Sequence, residues 1–184
     1  MKPLQSVAMG CVFVALYARI QGYDAYADPF GWLLVMLGVR RLADETPLRG
    51  AMLGTAALAL LVSLPLWLPG VRDPVADLDA SVGWALGLPA FACLAVLCHG
   101  LAEAADAADD PGPARWLRLL RTAVAVVALL PVLVFGAGVD GLASTASLVS
   151  SAVYVALVWL LFSYSGRRWA VRAAVERPTS SPAA

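Results

Sequence analysis

Residues 18–41 read ARIQGYDAYADPFGWLLVMLGVRR, and three readings of that stretch lead to three different folds. Ala25-Tyr26-Ala27 has the small-residue spacing of a signal-peptidase site, after a positive start at Lys2 and an apolar run over 7–18. The apolar run over 29–39 is half the length of a membrane helix, which fits a re-entrant segment. Asp28-Pro29 is a good N-cap followed by a good first helical residue, which fits a short helix crossing in its own right.

Working outward, the chain has 184 residues, 61% of them hydrophobic and 14% charged, with a mean hydropathy of +0.78. Soluble domains are about half apolar and a quarter charged. The apolar residues come in blocks over 7–18, 51–68, 82–98, 122–139 and 142–164, without the period of an amphipathic helix or strand. A hydrocarbon core of about 30 Å takes about 20 residues of helix. Backbone left unsatisfied in lipid is costly, so such runs must be helical. The expected fold class is an all-α, polytopic transmembrane bundle of about six helices, the second one short.

Net charge is zero, and twelve arginines stand against one lysine, a bias that suggests a high-GC bacterial genome. Cys11, Cys93 and Cys98 all fall inside or at the edge of apolar runs, which reads as buried structural thiols and not as a disulfide framework.

The leader reading is the weakest, because Arg19 directly follows the apolar run and a long polar spacer precedes Ala25. With six crossings one side holds Lys2, Arg40, Arg41, Arg49, Arg115, Arg118, Arg121, Arg167, Arg168, Arg172 and Arg177, leaving only Arg19 and Arg72 opposite. That asymmetry puts the C-terminus in the cytoplasm. A re-entrant second segment merely exchanges Lys2 for Arg19, so charge does not decide between the two. Aromatics favour the crossing. Trp32, Trp67, Trp84, Tyr23 and Tyr26 then fall at the outer interface and Trp116 and Trp169 at the inner one, with Trp159 deeper. The expected helices are 4–21, 29–43, 49–69, 81–106, 115–138 and 142–166, in one bundle over 1–177 with a disordered tail over 178–184. Both termini are expected in the cytoplasm, and the localisation is the bacterial cytoplasmic membrane.

Two polar constellations stand out. His99, Glu103, Asp106 and Asp110 recur at helical spacing on one face, a pattern that can share a proton or a metal. The preferred reading pairs that acidic face with Arg115, Arg118 and Arg121 across a hairpin, because no second ligand-bearing motif is present. Arg19, Asp24 and Asp28 cluster before the short second helix. Ionisable groups at membrane depth are functional candidates, although Asp28 as a helix cap in the interface is preferred. Ser144, Ser147, Ser151 and Tyr154 form a small polar stripe on the last helix. Gly50-x-x-x-Gly54 and Gly83-x-x-x-Gly87 are read as helix-packing patterns. Pro65, Pro89 and Pro131 are expected to bend their helices.

No phosphate-binding loop, dinucleotide fingerprint, zinc-protease motif or nucleophile elbow occurs. A single histidine excludes bis-histidine haem ligation within the chain. No basic patch lies outside the inner loops, so no nucleic acid is expected. Neither a metal nor a cofactor is implied, and the expected partners are the bilayer and a membrane protein or a second copy. The stretch DPFGWLLVMLGVRRLAD, followed by a long apolar helix, resembles a pattern in small bacterial multi-pass proteins of unassigned function, over residues 24–44. That resemblance implies a membrane bundle and carries no activity. The expected role is a non-enzymatic partner subunit or small scaffold. The alternative is a transporter or channel-like protein with its polar site at Arg19, Asp24 and Asp28.

Overall fold

The structure, a computed structural model, describes residues 1–16, 19–20, 23–24, 28–78, 80–136 and 143–171. Of residues 19, 20, 23, 24, 69, 72, 73, 76, 80, 133–136 and 143–145 only the backbone is described. The expected disordered tail, the candidate cleavage site at Ala25-Tyr26-Ala27 and most of the glycine-rich turn after residue 136 lie outside the described residues.

Among the described residues the chain is helical apart from one very short antiparallel pair. The elements are α1 (Pro3–Ala15), β1 (Arg19–Ile20), β2 (Tyr23–Asp24), α2 (Asp28–Arg40), α3 (Arg49–Leu66), α4 (Pro69–Ala76), α5 (Ala80–Ala107), α6 (Pro111–Gly136) and α7 (Ala143–Tyr164). A 3-10 turn at Arg168–Ala170 follows. Each long helix packs on its neighbour in sequence and α7 packs back on α1, so the bundle closes as a ring, with α4 bridging α3 and α5. Three helical spans, within α3, α5 and α7, are long and apolar enough to cross a membrane.

Neighbouring helices run antiparallel. Tyr154 of α7 bonds to Cys11 of α1, and Asp110 before α6 reaches Arg167 after α7. Lys2, the end of α2, the start of α3, the start of α6 and Arg167 are thereby gathered at one end of the ring. That basic end is also where the core is tightest. Leu4 and Val7, Val39 and Leu42, Met52, Leu97 and Leu101, Leu117, and Leu157 and Leu161 are all fully buried there. The opposite halves of α3, α5 and α6 contribute few buried side chains.

The expected first helix over 4–21 is corrected to a much shorter one, because α1 ends at Ala15 and Leu16 is extended. The reason lies in its packing on α2. A Cβ at Gly10 would collide with the carbonyl oxygen of Gly31 and stand 2.9 Å from the Val35 backbone nitrogen. One at Gly38 would stand 2.8 Å from the Pro3 carbonyl oxygen, and one at Gly31 2.7 Å from that of Gly10. These contacts set an antiparallel register in which Ala15 lies level with the first turn of α2. Ser6 Oγ donates to the Leu34 carbonyl at 3.1 Å across the same seam. The chain then turns back through β1 and β2, with Arg19 opposite Asp24 and Ile20 opposite Tyr23.

Other boundaries moved less. α2 starts at Asp28, one residue before the expected 29, and ends at Arg40; at 13 residues it is short, as expected. Asp28 in its first turn and Arg40 in its last both complement the helix dipole. α6 starts at Pro111, four residues earlier than expected, because proline loses nothing at the first helical position. The turn before it is a Schellman motif. Asp109 has a φ of 54°, its N–H donates to Asp106 and that of Asp110 to Ala105. α4 was not expected. Proline is tolerated early in a helix, and Pro69 opens this one.

The small-residue patterns read from spacing are also corrected. Nothing lies within 4 Å of a Cβ built at Gly50, Gly54 or Gly83, and at Gly87 the only neighbour is Phe91 of the same helix. Those pairs pack on no other helix among the described residues. Gly10, Gly31, Gly38 and Gly100 do. At Gly100 a Cβ would meet Met52 and the Pro47 carbonyl, so this glycine admits the loop before α3 against α5.

Candidate functional site

Two regions hold the polar residues, one at each end of the ring. At the basic end α5 leaves the bundle with His99, Glu103 and Asp106 on one face, and α6 returns with Arg118 and Arg121 facing them. Arg118 pairs with Asp106. Arg121 Nη1 donates to His99 Nδ1 at 3.2 Å. Arginine has no acceptor, so Nδ1 must present its lone pair, and in this geometry the ring proton resides on Nε2. Glu103 lies 3.8 Å from the same Nδ1, too far for a hydrogen bond. The acidic and basic faces thus meet across the hairpin.

Asp110 does not join that face. The left-handed residue Asp109 lifts it off the helix, and its Oδ2 accepts from Arg167 at 3.1 Å and from the Trp169 indole N–H at 3.2 Å. Tyr164 meets Trp169 edge to face, with ring centroids 6.2 Å apart. Spacing had placed Asp110 on the α5 face that pairs with α6; it instead ties the α5–α6 turn to the segment after α7. Arg49 bridges the next corner by pairing with Asp44 and donating to the Arg40 carbonyl. These are partly exposed ion pairs, each contributing about 0–1 kcal/mol. Among the described residues no group of three histidine, cysteine or carboxylate side chains is placed to hold a metal ion.

At the other end stands a cavity of about 480 Å³, lined by residues of α1, α2, α5, α6 and α7. Trp32, only 3% exposed, forms part of its wall with Phe91, Leu94, Val124 and Tyr154. This revises the expectation for Trp32, which is buried at the cavity and not part of an interfacial belt. Val14 and Ala15, where α1 stops, line it too. The β1–β2 register sets the backbones of Arg19 and Asp24 opposite one another in the link between α1 and α2. Asp28 is half-buried at the start of α2. The three residues of the expected outer polar site therefore belong to the segment that joins two of the cavity's walls.

The polar stripe on α7 resolves into separate roles. Tyr154 Oη donates to the Cys11 carbonyl at 2.8 Å, the one bond from the stripe to another helix among the described residues. Ser151 Oγ returns to the Ser147 carbonyl of its own helix, and Ser147 is exposed. Ser150, outside the expected stripe, lines the cavity beside Ser151. No spacing rule marks it, because its neighbours across the cavity come from distant parts of the chain. Trp84 also differs from a belt residue: its indole N–H donates to the Ala128 carbonyl of α6 at 2.8 Å, close to Pro131.

The chain matches no family model, no curated protein and no solved structure. What the site can do therefore rests on its own chemistry. At the basic end Asp44, Asp106 and Asp110 are paired with Arg49, Arg118 and Arg167, and the cavity offers apolar walls with a few hydroxyls.

Proposed function

We propose that this chain crosses the bacterial cytoplasmic membrane six times, with both termini in the cytoplasm, and works as a non-enzymatic partner subunit or small scaffold. The observation that carries the partner reading is the outward face of α3. Gly50 and Gly54 have open space where side chains would stand, and Leu58 and Leu61 continue outward, Leu61 being 63% exposed. In lipid, apolar burial does not drive helices together, and small residues that let backbones approach closely do. Among the described residues no helix of this chain uses that approach, so a helix of a partner or of a second copy has a place to pack.

Six crossings agree with the gathering of the arginines at one end of the ring and with the positive-inside rule. α1 and α2, 13 residues each, are about 20 Å long at 1.5 Å per residue. Such a pair is accommodated by lying recessed among longer helices. Alkaline phosphatase fused after Asp79 is expected to be active in the periplasm and a C-terminal GFP to fluoresce; an exported, dark C-terminus would end the topology. Affinity purification in mild detergent with mass spectrometry tests the role. A stoichiometric partner is expected with the natural chain and lost in Gly54→Leu at unchanged thermal stability.

A second reading, a small-molecule or ion transporter with its polar site at Arg19, Asp24 and Asp28, has one observation in its favour. Those residues lie in or beside the link between two walls of the cavity. A monodisperse particle without any partner would move the weight to it.

A further inference from the structure

α7 brings three hydroxyls to the cavity, and each has already committed its proton. Ser150 Oγ donates to the Ala146 carbonyl at 2.7 Å, Ser151 Oγ to that of Ser147 at 3.0 Å, and Tyr154 Oη to that of Cys11 at 2.8 Å. A hydroxyl has one proton to give and two lone pairs. Toward the cavity these groups are therefore acceptors. Among the described residues no lysine, arginine or histidine lines the cavity. Among those described residues an anionic head group would meet neither a cation nor a free donor. A neutral group carrying an O–H would find acceptors waiting.

The position of the opening adds the apolar half of the ligand. Ala15, Ser151 and Val155 line the cavity and are exposed, Val155 by 68%, so the cavity opens sideways between α7 and the C-terminal end of α1. From Tyr164 at the basic end back to Ser151 is about 20 Å of helix at 1.5 Å per residue, well within a hydrocarbon core of about 30 Å. A ligand entering there comes from the lipid phase. The volume, about 480 Å³, suits one small organic molecule or one chain.

We propose that this cavity binds a single neutral lipophile, an apolar chain ending in a hydroxyl, taken laterally from the bilayer, with Ser150 and Ser151 accepting from its O–H. The proposal rests on the membrane reading above.

Trp32 supplies the reporter, since it is buried in the cavity wall. The full chain, purified in mild detergent, is titrated with a brominated long-chain alcohol, its methyl ether and the matching carboxylate, following tryptophan quenching. Saturable quenching by the alcohol is expected, absent in Trp32→Phe. The ether and the carboxylate should bind about tenfold more weakly, the weight of one hydrogen bond without water to replace it. Ser150→Ala with Ser151→Ala should bring the alcohol down to the ether, and Ala90→Phe should abolish quenching by filling the cavity, with folding checked by thermal melt. Equal binding of all three probes, or tighter binding of the carboxylate or of a long-chain amine, would overturn the head-group assignment. No saturable quenching by any probe would overturn the site. Failure of the membrane reading shows separately, in the phosphatase and GFP fusions, which do not depend on ligand.

Discussion

Two sets of glycines in this chain behave in opposite ways, and only one of them stands out by its spacing in the sequence. Gly31 and Gly38 of α2, seven residues apart, face α1, and with Gly10 they bring two backbones so close that no methyl group fits between them. Gly50 and Gly54 of α3, at the four-residue spacing usually associated with helix pairs, face nothing among the described residues. The difference teaches that spacing records which residues share a helix face but not what that face meets. In the seam a carbonyl oxygen stands where a side chain would be, which no rotamer change can relieve. On α3 the same absence of a side chain leaves a groove.

The comparison breaks most sharply at the seam. Gly31→Ala would put its Cβ 2.6 Å from the Val14 side chain and 2.7 Å from the Gly10 carbonyl oxygen. Forcing the helices apart at this contact is expected to cost about 3 kcal/mol, the upper part of the overpacking range. Thermal unfolding in detergent should fall accordingly, and an unchanged midpoint would mean that the seam is looser than its geometry.

A smaller effect is expected where α2 begins. The first N–H groups of a helix have no acceptors within it, and near lipid an unmet donor is costly. If Asp28 meets one of them as a cap, Asp28→Ala lowers stability by about 0.5–2 kcal/mol while Asp28→Asn is nearly neutral. Stability unchanged in both, together with loss of cellular function in the asparagine variant, would assign Asp28 to a transport or binding site through its charge.

The smallest change goes the other way. Gly54→Ala meets open space, so the isolated chain should gain about 0.5–1 kcal/mol from replacing glycine inside a helix. A loss instead would show that α3 is packed against something even in the purified protein, and the contrast between the two glycine sets would disappear.

Much of this architecture was legible from residue order. The long apolar runs placed α3, α5, α6 and α7 to within a few residues, because burying backbone without water leaves helix as the only economical form. The facing stripes of α5 and α6 were legible for a similar reason: helical spacing puts His99, Glu103 and Asp106 on one face and the short turn brings Arg118 and Arg121 opposite, although Arg115, expected with them, stands exposed and outside those contacts. Asp110 escaped that logic by a single left-handed residue, Asp109, which no spacing rule registers.

The length of α1, the pairing of Tyr154 with Cys11, the burial of Trp32 and the cavity were not legible. Each depends on which helix faces which across more than a hundred residues of chain or on the register of one pair. Helical character, the number of long helices and the gathering of charge at one end follow from local chemistry, since each residue answers to solvent, lipid or its near neighbours along the chain. The glycine seam, the open face of α3 and the space between α1 and α7 were decided only by tertiary packing, where the shapes of distant backbones must fit and hydropathy is the same for every arrangement.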